Sequence, residues 1–174
     1  LRYRDVRQFG TMDLFRHGEE LALPPLSSLG EEPLDPAFTA KRLRELLNGR
    51  TTKLKPLLLN QELIAGIGNI YTDEVLFRAG LHPCRTADSL TRAETARLHQ
   101  AIVSTLREAV AAGGSSIKSY VNGQGEEGSF QHHLNVYGRK GLPCFQCGQP
   151  IEKIMLGGRG THFCRTCQPP PTRR

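Results

Sequence analysis

Two Cys-x-x-Cys pairs, Cys144-Phe-Gln-Cys147 and Cys164-Arg-Thr-Cys167, hold four of the five cysteines, with sixteen residues between them. Each pair suits a tight turn that aims two thiolates at one point, and the spacing reads as a structural zinc site with Cys144, Cys147, Cys164 and Cys167 as ligands. Between them, Ile151–Leu156, Gly157–Gly160 and Thr161–Phe163 read as strand, turn and strand. One Zn²⁺ would staple a hairpin too small to have its own core. Two disulfides, or four unrelated thiols, are the competing readings. His132 and His133 read as polar or structural residues and Cys84 as an ordinary thiol, because four cysteines already complete the coordination.

A second set of chemically suited residues lies at Ala65-Gly-Ile-Gly-Asn69. The apolar stretch Lys53–Ile64 reads as a short helix and the segment from Asn69 to Gly80 as another, so the glycines form the turn of a helix-two-turns-helix. With Asn69 as N-cap, a side-chain amide would stand beside free N–H groups, an arrangement suited to an anion. An ordinary helical hairpin with an Asn cap is the alternative. Asp73 and Glu74 read as first-turn acids favoured by the helix dipole.

Residues 113–130 carry five glycines and no period. Ser115, Ser116, Lys118 and Tyr120 offer polar contacts there, and the length favours a binding loop over a passive connection. At the other end, Arg7 closes the first of two expected strands, Leu1–Arg7 and Thr11–Phe15, and Phe9 lies in the turn Gln8–Gly10 between them; Phe9 suits an apolar wedge beside a phosphate contact, or a turn aromatic folded back on its own hairpin.

The elements that must position these groups follow from pattern. Thr39 reads as the cap of a helix with Leu43, Leu46 and Leu47 on one face and Gly49 past its end. Thr91-Arg-Ala-Glu94 is a capping box opening the longest helix, whose Leu98, Ile102, Leu106, Ala109 and Val110 form a core stripe stopped by Gly113-Gly114. Phe130–Tyr137 reads as strand-like. The fold class expected is mainly α with a small β part. The expected divisions are a strand hairpin at 1–16, a linker at 17–36, a helical domain at 37–114, a glycine-rich loop and lead-in strand at 115–138, a four-cysteine zinc finger at 139–168 and a basic tail at 169–174.

The formal charge of +6 is unevenly placed. Residues 1–130 hold sixteen Lys/Arg against sixteen Asp/Glu, whereas residues 131–174 hold Arg139, Lys140, Lys153, Arg159, Arg165, Arg173 and Arg174 against Glu152 alone. That excess, on the segment with the cysteines, is the footprint of a surface laid against phosphates; a solvated basic face is the bland counterpart. No long apolar run suggests a membrane span. Clustered thiols without a leader pattern favour metal in a reducing, cytoplasmic compartment. The chain opens at Leu1 within an alternating pattern and is expected to be a fragment of a longer protein.

Taken together, Arg4–Gly10, Leu59–Tyr71, Asp73-Glu74, Phe77-Arg-Ala-Gly80, Gln131-His-His133, Val136-Tyr-Gly138 and Gly158-Arg-Gly-Thr-His162 resemble the C-terminal part of the bacterial formamidopyrimidine-DNA glycosylases, which excise oxidised purines such as 8-oxoguanine. The glycine-rich loop followed by Phe130-Gln-His-His133 is more similar to this branch than to the endonuclease VIII-type enzymes. The resemblance implies a DNA-repair glycosylase with AP lyase activity, acting as a monomer on lesion-containing duplex DNA near the nucleoid. It implies that Arg159 and Asn69 hold the phosphates flanking the lesion. Arg7 and Phe9 would fill the gap left by the extruded base, and residues 113–130 would close over that base. The family's nucleophile, an N-terminal proline whose secondary amine attacks C1′, and its assisting glutamate and lysine have no counterpart here, so this chain is expected to bind and not to excise. A non-catalytic zinc module that binds nucleic acid is the alternative.

Overall fold

The computed structural model describes residues 9–24, 26–116 and 127–171. Helices α1 (Ala40–Leu47), α2 (Leu54–Leu58), α3 (Asn69–Ala79) and α4 (Arg92–Ala111) precede a two-stranded hairpin, β1 (Glu152–Leu156) and β2 (Arg159–Phe163). Mainly α with a small β part is therefore the observed class.

The caps behave as their residue types dictate. Thr39 Oγ1 accepts from the Arg42 amide at the start of α1. Thr91 and Glu94 exchange both bonds of the capping box at the start of α4. Gly80, at φ 68°, ends α3, with the Leu81 amide reaching back to Leu76. The Glu94 carboxylate also pairs with Arg85. That guanidinium, with the Thr91 amide and hydroxyl, holds the Glu94 carboxyl at about 2, below its ordinary 4.5. A depressed carboxylate stabilises the fold above its unfolded pKa and loses that contribution as pH falls from 4.5 toward 2. Glu94→Gln should therefore cost on the order of 1–2 kcal/mol at pH 6 and less than half of that at pH 3, where the contribution is already being lost. Urea denaturation of the two proteins at both pH values checks this; a gap independent of pH would refute it.

Helix α3 is central. Val75, Leu76 and Ala79 join Leu43, Leu54, Leu58, Ile64, Leu98 and Ile102 in the helical core, while Phe77 on its other side joins Val136, Cys144, Ile151 and Cys164 in a second, smaller one. A helix buried on both sides has no single apolar stripe. Upstream, Glu31 pairs with Ile64, and Gly30 lies so close to this segment that a Cβ would stand 2.4 Å from the Leu63 carbonyl carbon. Only glycine fits there.

Several sequence expectations are corrected. The helix read over Lys53–Ile64 stops at Leu58, because Asn60 Oδ1 takes the Glu62 amide and the Leu63 and Ile64 amides turn back on the Asn60 carbonyl. Val110 is 69% exposed and does not belong to the α4 stripe, which runs instead through Thr95, Leu98, Ala101, Ile102, Thr105, Leu106 and Ala109. Phe130–His133 is a 3-10 turn and not a strand, since no strand lies beside it among the described residues. Thr11–Phe15 likewise has no ladder partner among the described residues and forms no strand; Leu14 is fully exposed. The expected strand Leu1–Arg7 lies outside the described residues.

The expected hairpin is present with a tighter turn: Arg159 and Gly160, read as part of the turn, belong to β2. Antiparallel pairing runs from Glu152 with Phe163 to Leu156 with Arg159, around Gly157 and Gly158 at φ 56° and 71°. Two successive positive φ values are what a tight two-residue turn between right-twisted strands requires. Among the described residues, no helix is long and apolar enough to cross a membrane.

Candidate metal centre and nucleic-acid interface

The Sγ atoms of Cys144, Cys147, Cys164 and Cys167 all lie within 4.8 Å of one another. A tetrahedral centre of zinc and four thiolates, with bonds of about 2.3 Å, places neighbouring sulfurs about 3.8 Å apart. Cys144 and Cys167 are 3.9 Å apart and Cys147 and Cys164 3.4 Å, so the donor set fits one Zn²⁺. Its electrostatics agree. Burial pushes the Cys144 thiol up, but the Cys147 and Gln146 amides and the neighbouring sulfurs overcome this and hold it at about 7. Burial and then the neighbouring sulfurs push Cys167 up, and burial drives Cys164 up as well. Sulfurs this close resist ionising together, a conflict that a divalent cation removes.

Backbone geometry aims the thiols. The Gly148 amide closes the first knuckle on the Cys144 carbonyl, and the Gln168 amide closes the second on that of Cys164. Buried Gln168 also accepts from the Cys164 amide and donates to the Leu81 carbonyl, tying the second knuckle to the end of α3. Cys84 is half-buried and outside the cluster, and His133 packs near the Phe130 ring.

The finger leans on α3 and α2. Asn69 is not the N-cap; Gly68 is, and Asn69 is the first helical residue. Its Nδ2 donates to the Gly160 carbonyl at 3.3 Å, so its amide serves the finger and not its own helix. Its Oδ1 is buried without a hydrogen-bond partner. Gly66 at φ 77° makes the preceding turn, and Gln61 braces it by accepting from the Gly66 amide and donating to the Ile67 carbonyl.

Asp73 and Glu74, expected in the first turn, lie beyond it and are wholly buried. Asp73 Oδ1 accepts from Lys55 Nζ at 2.6 Å, and Oδ2 accepts from the His162 amide at 2.9 Å. Lys55 Nζ also donates to the Gly160 carbonyl at 3.0 Å. Burial pulls the Lys55 ammonium below its ordinary range, and Asp73 opposes that pull. Glu74 accepts from the amides of Asn135, Val136 and Tyr137 and from Asn135 Nδ2. The sequence reading missed Lys55 and the long-range roles of Asp73 and Glu74. A lysine inside the apolar run Leu54–Leu59 was the one available signal.

Beside Asn69, a cavity of about 310 Å³ is lined by Gly68, Asn69, Ile70, Tyr71, Gly114 and Ser115. The structure thus brings Asn69 and Ser115 to one site, and Ser115 Oγ is buried without a hydrogen-bond partner. Ser116 Oγ accepts from the Gly128 amide, and Gln131 bridges the Ser116 amide and the Gly128 carbonyl, pinning the two ends of the glycine-rich segment together. Lys118 and Tyr120 lie outside the described residues, as does Arg7. Phe9 is described, is 86% exposed and sits in no regular element. Arg159 opens β2 at the exposed hairpin turn.

Residues 29–121 match the formamidopyrimidine-DNA glycosylase H2TH domain, more than half of the chain, and residues 141–170 match the zinc finger found in FPG and IleRS. The chain belongs to the formamidopyrimidine-DNA glycosylase family. It is 64% identical over 168 residues to the formamidopyrimidine-DNA glycosylase of Brevibacillus brevis and 61% identical to that of Halalkalibacterium halodurans, in each case covering 97% of this chain and 61% of the relative. It therefore spans about three-fifths of those glycosylases. The crystal structure of the MutM (Fpg) protein of Thermus thermophilus superposes with a TM-score of 0.88 at 48% identity, covering 94% of this chain and 62% of that one. The Lactococcus lactis Fpg complexed with abasic-site DNA gives 0.87 at 43% identity, covering 95% and 61%. With the zinc-finger match, the four clustered cysteines of this Fpg-family chain are its zinc site.

Proposed function

We propose that this chain is the DNA-binding portion of a base-excision-repair glycosylase with AP lyase activity, directed at oxidised purines such as 8-oxoguanine and formamidopyrimidines in duplex DNA. The observation that carries the reading is the meeting of Asn69 with the finger at the Gly160 carbonyl, one residue from Arg159. Two separate elements, one amide-bearing and one basic, present themselves together beside an open glycine turn, which suits a DNA backbone. The basic excess of residues 131–174 supports it, as does the relative bound to abasic-site DNA.

In this reading Asn69 and Arg159 hold phosphates, and Arg7 and Phe9 enter the space left by the everted base. Residues 113–130, with Ser115, Ser116, Lys118 and Tyr120, close over that base. Unstacking a base costs a few kcal/mol, which wedge and phosphate contacts must offset. The divisions at 16, 36, 114, 138 and 168 mark the working parts. The protein acts as a monomer in the bacterial cytoplasm at the nucleoid. Zinc holds the finger's shape and takes no part in the reaction. The nucleophile, an N-terminal proline amine, belongs to a domain that this chain does not include.

Joining an N-terminal domain beginning Pro-Glu to this chain should yield borohydride-trappable adducts on 8-oxoguanine duplex, whereas the chain alone should bind that duplex without cleaving it. Absence of adducts would refute the enzymatic reading and favour a non-catalytic binding module. Arg159→Ala should weaken duplex binding and reduce the slope of log K against log salt by about 0.9, the value for one lost phosphate contact. Titrations at several salt concentrations measure that slope, and an unchanged value would count against the assignment.

A further inference from the structure

The one carboxylate of α3 that touches both α2 and the finger is Asp73. Its two oxygens are divided between them: Oδ1 takes Lys55 Nζ, and Oδ2 takes the His162 amide and stands 3.2 Å from His162 Nδ1. Lys55 then reaches the Gly160 carbonyl, the same oxygen to which Asn69 Nδ2 donates. Asn69 and Asp73 are four residues apart, hence on one face of α3, and Gly160 and His162 are two apart, so that the carbonyl of one and the amide of the other lie along the edge of β2 turned away from β1. The two pairs form a ladder between helix and strand, with Lys55 between its rungs. Below it, the hairpin turn rests on α2: a Cβ on Gly157 would stand 3.2 Å from Pro56 Cγ.

A wholly buried Lys–Asp pair is a poor device for stability alone, since apolar side chains of similar volume stabilise a core as well or better. What it supplies is direction. Each charged atom has one arrangement that satisfies it, so the hairpin cannot slide or rotate on α3 without leaving an ammonium or a carboxylate unpaired. Arg159 is joined directly to Gly160, so its backbone is held relative to Asn69.

We propose that Asp73 is a positioning residue that sets the finger tip against the Asn69 end of α3, so that Asn69 and Arg159 engage one DNA backbone together. The proposal rests on the phosphate-gripping role given above to those two residues. Asp73 itself touches no DNA and acts through Lys55 and His162.

The test is a double-mutant cycle on duplex binding with Arg159→Ala and Asp73→Asn, with zinc content measured for every protein. In the wild-type background Arg159→Ala should weaken binding about tenfold, as expected for a lost charged hydrogen bond. In the Asp73→Asn background it should cost less than about twofold, because Arg159 is already misplaced, while one zinc per chain is retained. An equal loss in both backgrounds would overturn the positioning role and leave the phosphate role standing. No loss in either would overturn both. Because Asp73→Asn leaves a buried lysine unpaired, the cycle is repeated on Lys55→Met with Asp73→Asn, which removes that charge. Loss of zinc in both backgrounds would also overturn the proposal, showing that the ladder folds the finger and does not merely aim it.

Discussion

Cys164→Ser is expected to abolish zinc binding and unfold the finger, residues 139–168, while the four-helix portion keeps its structure. Among the described residues, the buried members of the second core are Phe77, Val136, Cys144, Ile151 and Cys164, so two of the five are themselves ligands, and a third ligand, Cys167, packs against them. A two-stranded hairpin does not hold itself together in water, and apparent binding energies of structural zinc in small fingers are about 10–16 kcal/mol. Removing one thiolate of four discards much of that energy and leaves the remaining sulfurs without their cation. The helical core draws on other residues, including Leu43, Leu54, Ile64, Leu98 and Ile102, and should keep its far-UV helical signal. Zinc content and circular dichroism of the purified variant decide the matter. One zinc per chain with an intact hairpin would contradict the site.

The second large effect is expected at Glu74. Its carboxylate is wholly buried and accepts from Asn135 N at 2.8 Å, Asn135 Nδ2 at 3.0 Å, Val136 N at 2.9 Å and Tyr137 N at 2.9 Å. These three backbone donors have no strand to pair with among the described residues; the carboxylate takes the place of a ladder. Glu74→Ala would leave the amide of wholly buried Val136 unsatisfied, together with its two neighbours, and open a cavity beside Val136. The expected loss is about 3–5 kcal/mol. For a chain of this size that lowers the melting temperature by roughly 10 °C. Thermal or urea unfolding measures it, and a loss below about 1 kcal/mol would show that water replaces the carboxylate without penalty. Glu74→Gln should fall between the two, since its amide would set an N–H against the donors of Asn135.

Glu74 also marks where sequence reading stopped. Its placement in α3 was legible, but its partners lie 61 to 63 residues away, and the expectation of a dipole-favoured first-turn acid followed from local position alone. The same holds for Lys55, whose ammonium meets Asp73 across 18 residues and Gly160 across 105. The strand reading at Phe130–Tyr137 failed for a related reason: alternation describes a strand only where a partner backbone accepts its hydrogen bonds, and among the described residues none lies beside it.

By itself, the sequence determined what depends on neighbours along the chain. Thr39 and the Thr91–Glu94 box set helix starts, Gly80 a helix end, Gly157-Gly158 the hairpin turn, and the cysteine spacing a four-thiolate zinc site, because each acts within a few bonds of its own backbone. Tertiary structure alone decided how the finger meets the helices. The Asp73–Lys55–Gly160 ladder, the Glu74 cradle and the Gln168 tie are hydrogen bonds between segments remote in sequence, and such bonds impose no spacing that a linear pattern could show.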